Sequence, residues 1–246
     1  MRDEKTGDFV GGVAEKVYLC SEEATKGESV TMRRLLTWLV WLPLLSSAQG
    51  LKNEGTTVED IVPAKWEHIE SVGDLNKDGM ADLVVIATPD DPAHTKVRDD
   101  GYVYNFNQPK LAIYFGTKEG VFHYWRSYDD ILPTQDEGTF IDFTLNITER
   151  GTLTIGFSIF ASMGSYNSPS STYVFRYQNG DFYLIGEEQQ NFSRTTGEDE
   201  LESYNYLTHK RQRVITNAFD DSFKPKETWT VIPKEPLKRL GSEALY

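Results

Sequence analysis

The nine residues Asp74-Leu75-Asn76-Lys77-Asp78-Gly79-Met80-Ala81-Asp82 place oxygen-bearing side chains at loop positions 1, 3, 5 and 9, and a glycine at position 6. With that spacing a short loop wraps a hard cation such as Ca²⁺, and the glycine permits the sharp turn that aims the flanking oxygens inward. Asp74, Asn76 and Asp78 are the expected side-chain ligands. Met80 offers its carbonyl, and Asp82 closes the cage directly or through water. The same residue types also build Asx-rich turns that hold no metal. An EF-hand requires a bidentate Glu at position 12 and a helix on either side. Position 12 here is Val85, inside the run Leu83-Val84-Val85-Ile86. That run is apolar and β-branched, so it predicts a buried strand. The loop therefore feeds a sheet.

The segment Val72-Gly73-Asp74-Leu75-Asn76-Lys77-Asp78-Gly79-Met80-Ala81-Asp82-Leu83-Val84-Val85 resembles the calcium-loop strand of FG-GAP and VCBS repeats. Lys110 to Gly116 and Lys118 to Phe122 resemble the next two strands of such a blade. Residues of about 60 to 232 are also similar to a group of secreted or lipid-anchored bacterial proteins. In these, a Pro-x-x-Trp segment (here Pro63-Ala64-Lys65-Trp66) precedes a single calcium loop, and a segment like Phe175-Arg176-Tyr177-Gln178-Asn179-Gly180-Asp181-Phe182-Tyr183-Leu184-Ile185-Gly186 follows later. The resemblance implies a calcium-binding β-module and points to no particular activity. A propeller needs several repeated blades, and this sequence carries one such loop.

Length and charge narrow the remaining classes. The 246 residues have room for one β-rich domain. The formal net charge of −13 disfavours nucleic acid, whose phosphates would be repelled, and anionic membrane surfaces. Residues 32–48 read as a signal peptide. Met32-Arg33-Arg34 is a basic start, Leu35 to Leu45 an apolar stretch too short to span a bilayer comfortably, and Ser46-Ser47-Ala48 a small-residue cleavage site. This predicts a secreted or periplasmic protein with Gln49 as its first residue and no stable membrane insertion after cleavage. Residues 1–31 are then an upstream leader from an over-extended gene start. The sole cysteine, Cys20, lies in that leader, so disulfides and a lipid-anchoring cysteine are not expected downstream.

Residues 49–60 are polar and read as a flexible lead-in, residues 61–235 as a single β-rich domain, and residues 236–246 as a C-terminal tail. A first strand is expected over Trp66 to Val72, with Trp66 and Ile69 buried, and a second over Asp82 to Thr88. Pro89 to Pro109 is a long polar segment, either a solvated insertion or a functional loop. Hairpins follow. Lys110–Phe115 should pair with Val121–Tyr128, Phe140–Ile147 with Thr152–Phe160, Thr172–Gln178 with Asp181–Gly186, and Leu201–Leu207 with Arg211–Thr216. Asn179-Gly180 is the strongest turn signal, because a type I′ turn needs positive φ at both central residues. Glu227 to Ile232 reads as an edge strand. The fold class is mainly β, an antiparallel meander or sandwich built from hairpins.

Catalytic signatures are weak. His68, His94, His123 and His209 have no zinc-site spacing. Ala161 to Tyr166 lacks the setting of a nucleophile elbow. Carboxylate runs such as Glu198-Asp199-Glu200 and Asp220-Asp221 read as solvated charge, since neighbours on a strand point to opposite faces. Tyr102, Tyr104 and Phe106 share one face if their segment is extended, and rings on such a face either fill a core or grip a ligand. The expectation is a calcium-binding module with no catalytic residue and no organic cofactor, taking a protein or glycan ligand. The alternative is a hydrolase of envelope or extracellular glycans, with carboxylates assembled across strands.

Overall fold

In the computed structural model, residues 50–161 and 166–246 are described. The expected signal peptide, the leader and residues 162–165 of the Ala161–Tyr166 segment lie outside them. The chain enters through strand β1 (Glu54–Gly55) and a one-turn helix α1 (Val58–Ile61). Strands β2 (Glu67–Gly73) and β3 (Asp82–Thr88) flank the Asp74–Ala81 loop. A 3₁₀ turn (Pro92–His94) then leads to a small hairpin of β4 (Thr95–Val97) and β5 (Val103–Asn105). Strands β6 (Lys110–Gly116) and β7 (Phe122–Tyr128) complete a five-stranded antiparallel sheet in the order β1-β7-β6-β3-β2.

The rest of the chain is a meander. Strands β8 (Thr139–Ile147), β9 (Thr152–Ala161), β10 (Asn167–Gln178), β11 (Asp181–Ser193), β12 (Glu198–Asn205), β13 (Lys210–Asn217) and β14 (Lys226–Val231) follow one another across a seven-stranded, half-barrel-like antiparallel sheet. The mainly β, antiparallel hairpin architecture expected from the sequence is what forms. At Asn179-Gly180 the φ angles are 51° and 77°, the pair of positive values that a two-residue hairpin between β10 and β11 demands.

The apolar run of β3 is buried along its length because both of its faces are covered. Val84 and Ile86 join Leu111 and Ile113 in a core shared with Leu153, Ile155, Phe175 and Phe182 of the seven-stranded sheet. Leu83, Val85 and Ala87 face the other way, under Val58, Ile61 and Val62. The end of the expected lead-in, from Thr57, is ordered on this core. Thr57 and Asp60 form a capping box on α1, and Ile61 is fully buried. Trp66 and Ile69 are half-buried and pack against the two cores. The edges of the two sheets meet where the Ile147 amide donates to Ser71 Oγ at 2.9 Å.

The segment after β14 belongs to the fold as well. Leu184 N–H donates to the Lys238 carbonyl and Leu240 N–H to the Phe182 carbonyl, both at 2.9 Å. Leu240 and Leu245 are buried in the shared core. What the sequence presents as a tail is a strap along β11.

Candidate functional site

The Asp74–Ala81 loop is organised by its own side chains. Asp74 Oδ1 accepts the amides of Lys77 (2.7 Å) and Asp78 (3.2 Å), and Oδ2 accepts that of Gly79 (3.0 Å). Asn76 Oδ1 accepts the Asp78 amide at 3.0 Å, and Asp78 Oδ1 that of Met80 at 2.9 Å. Asn76 Nδ2 donates to Asp78 Oδ2 at 3.0 Å, which joins the two side chains. Lys77 and Gly79 take positive φ, 63° and 83°, so the backbone coils tightly enough for these contacts. Asp74, Asn76 and Asp78 thus come together at an exposed turn. Their donor atoms are all oxygens apart from the Asn76 amide nitrogen, a set that fits a hard cation.

Asp82 occupies a different place. It is fully buried, with Oδ2 accepting the Leu75 amide at 2.8 Å and Oδ1 the Gly116 amide at 2.9 Å. Burial pushes its pKa up, against the backbone hydrogen bonds of Gly116, Leu75 and Asn76 that favour the carboxylate. Among the described residues no three or more His, Cys, Asp or Glu side chains gather at metal-holding spacing. Through its bonds to Leu75 and Gly116, Asp82 clamps the loop to the end of β6. The clamp needs the two backbones in near contact. A Cβ on Gly116 would stand 1.9 Å from the Ala81 carbonyl oxygen.

Tyr102, Tyr104 and Phe106 do form a continuous stack. The Tyr102 and Tyr104 rings meet edge-on at 5.0 Å, and Tyr104 and Phe106 lie parallel at 5.8 Å. Their exposures divide them. Tyr104 is 7 % exposed, with its hydroxyl accepting from Arg98 Nη1 at 3.4 Å, while Tyr102 is 42 % exposed and touches Phe140. Phe106 lines an open groove of about 780 Å³ with Trp66, Asp90, Asp91, Gln108 and Lys110. Its wall is held by amides. Asn105 Nδ2 donates to the Pro89 carbonyl, Asn107 Nδ2 to the Asp91 carbonyl, and Gln108 Nε2 to the Leu132 carbonyl. The sequence singled out Phe106 and the Pro89–Pro109 segment that holds Asp90, Asp91 and Gln108, and the run Asn105-Phe106-Asn107-Gln108 carries the further signal of a loop pinned by side-chain amides.

The loop and the groove lie at opposite ends of β3, separated by seven residues or roughly 20 Å of extended chain. On β12, Glu200 pairs with Arg213 and Glu202 with Arg211 across to β13.

Residues 69–106 match the family model of the FG-GAP repeat, a β-module typical of extracellular proteins. The match begins in β2, runs through the loop and β3, and ends at Phe106, so the resemblance drawn from the loop holds over that stretch. No curated protein and no solved structure matches the chain. Among the described residues no helix is long and apolar enough to cross a membrane.

Proposed function

We propose that this chain is an exported, calcium-stabilised binding module without a catalytic site of its own, and that a protein or glycan ligand seats in the groove beside Phe106. The observation that carries the reading is the self-organised loop, where Asp74, Asn76 and Asp78 converge on one exposed turn. Those three side chains and the Met80 carbonyl would hold the cation, and the buried Asp82 would fix the loop that presents them. Bound calcium would neutralise the Asp74 and Asp78 carboxylates and tighten the turn that feeds β3. Because the groove starts at the far end of β3 from the loop, the role of the calcium is structural. Trp66 and Phe106 supply ring surface, and Asp90, Asp91, Gln108 and Lys110 supply polar partners, the mixture that fixes a ligand's orientation in a concave site.

Export rests on residues 32–48. Intact-mass analysis of the exported protein should place its first residue within about two positions of Gln49. A secreted chain still carrying residues 1–31 would refute this. For the binding reading, amide chemical shifts should be followed during titration with soluble oligosaccharides and with peptides. Shifts confined to Trp66, Asp91 and Phe106 are expected. Hydrolysis of a soluble glycan, abolished by Asp91→Asn, would replace the binding module with a hydrolase.

A further inference from the structure

Strand β14 ends the seven-stranded sheet, and among the described residues it pairs on one side only, with β13. All six of its residues are exposed, Trp229 at 59 % and Val231 at 84 %. The ladder defines which backbone groups are free. Ile232 N–H donates to the His209 carbonyl, and the register pairs Thr230 with Arg211 and Thr228 with Arg213. Hydrogen-bonded pairs alternate in an antiparallel ladder, so Thr230, Thr228 and Lys226 bond inward to β13. The N–H and C=O groups of Glu227, Trp229 and Val231 therefore point outward. Open edges of this kind template pairing with another strand.

The sequence around this edge is symmetric about Trp229. Pro225 and Pro233 stand at equal distances on either side of it. We infer that β14 pairs antiparallel with β14 of a second copy of this chain, with the two-fold axis passing through Trp229, so that one continuous sheet runs through a symmetric dimer. In that register Trp229 lies opposite Trp229 of the second copy, Glu227 opposite Val231, Thr228 opposite Thr230 and Lys226 opposite Ile232. Every outward N–H and C=O of Glu227, Trp229 and Val231 then finds a partner, and no like charges stand opposite each other. A shift of two residues either way sets Pro225 or Pro233, which have no N–H, against an outward-facing residue and forfeits part of the ladder. The indole is already oriented, since Trp229 Nε1 donates to Glu227 Oε1 at 2.6 Å. Two copies of net charge −13 repel at long range, so added salt should favour the pairing.

The test is sedimentation equilibrium on the 246-residue chain and on two variants at the exposed Val231. Val231→Glu sets Glu against Glu227 twice in the dimer and should weaken association. Val231→Lys sets Lys against Glu227 twice and should tighten it. The two dissociation constants should differ by about tenfold, and circular dichroism should show both variants folded. In a Cys20→Ser background, Trp229→Cys should form an interchain disulfide on mild oxidation, because the residue faces itself across the axis. Val231→Cys should not, since its two copies lie beyond disulfide reach. A chain that stays monomeric at all concentrations would overturn the proposal. So would a dimer indifferent to the charge at 231. Protection of the Trp229 amide by an added strand-forming peptide, without self-association, would assign the edge to a foreign strand instead.

Discussion

The buried carboxylate of Asp82 accepts the Gly116 amide at 2.9 Å and so ties the end of the Asp74–Ala81 loop to the end of β6. Asp82 and Gly116 are 34 residues apart in the chain. Their contact sets the height of the loop above the sheet.

Asp82→Asn should cost about 1–3 kcal/mol, because an amide group would then face a backbone N–H that needs an acceptor. Its pH signature has a definite sign. The folded-state pKa of Asp82 is raised by burial, so the folded chain holds that proton more tightly than the unfolded chain. The contribution to stability is present at pH values below the ordinary carboxylate range and is lost as pH rises through the raised folded value. In chelator, the stability gap between wild type and Asp82→Asn should therefore widen as pH falls from neutrality. Denaturant titrations from acid to neutral pH measure it, and a gap that widens toward high pH would show that the backbone amides outweigh burial.

Gly116→Ala should destabilise by about 3 kcal/mol, since its Cβ would meet the Ala81 carbonyl oxygen at 1.9 Å and must displace backbone on one side. Thermal unfolding reads this directly. A variant as stable as wild type would mean that the loop stands farther from β6 than the clamp requires.

Calcium should raise the melting temperature of the chain, and EGTA should reverse the rise. Binding to the folded state alone adds about 2.7 kcal/mol at a hundredfold excess over Kd. Asp78→Ala removes one ligand without touching Asp82 and should abolish most of the response. Magnesium should substitute poorly, because it demands a tighter octahedral shell. Calorimetry of fully chelated protein that shows no calcium dependence would leave the loop an ordinary Asx turn.

The three stacked aromatics should separate by stability. Tyr104→Ala should cost about 3–5 kcal/mol, as large-to-small changes at buried rings do. Tyr102→Ser, at an exposed ring, should cost below about 1 kcal/mol. Phe106→Ser should weaken ligand binding in the groove more than either. Equal melting temperatures for the Tyr104 and Tyr102 variants would contradict the burial that divides them.

Deleting residues 237–246 should remove about 3–6 kcal/mol, from two buried leucines at about 1.5–3 kcal/mol each. A truncated chain of unchanged denaturant midpoint would show that the strap does not hold the shared core.

The hairpins, the buried strand and the cation-type loop were legible because each is a local pattern. Alternation with period two, an Asn-Gly pair and oxygens spaced at 1, 3 and 5 act over a few residues, and Asn179 and Gly180 took the positive φ their identities imply. The Thr57 and Asp60 capping box was equally local and was overlooked inside a polar stretch. The rest required the tertiary structure, because it depends on residues brought together from far along the chain. Nothing near Asp82 announces that Gly116, 34 residues further along the chain, will supply its amide. Nothing in residues 236–246 announces that Leu240 and Leu245 will find a gap in the core. The Tyr102, Tyr104 and Phe106 stack was visible as a pattern, but its division between core, surface and groove was decided by what packs beside it. Local sequence determined the strands, the turns and the chemistry of the loop. Burial, which depends on how the whole chain closes, decided which of those oxygens and rings still face solvent.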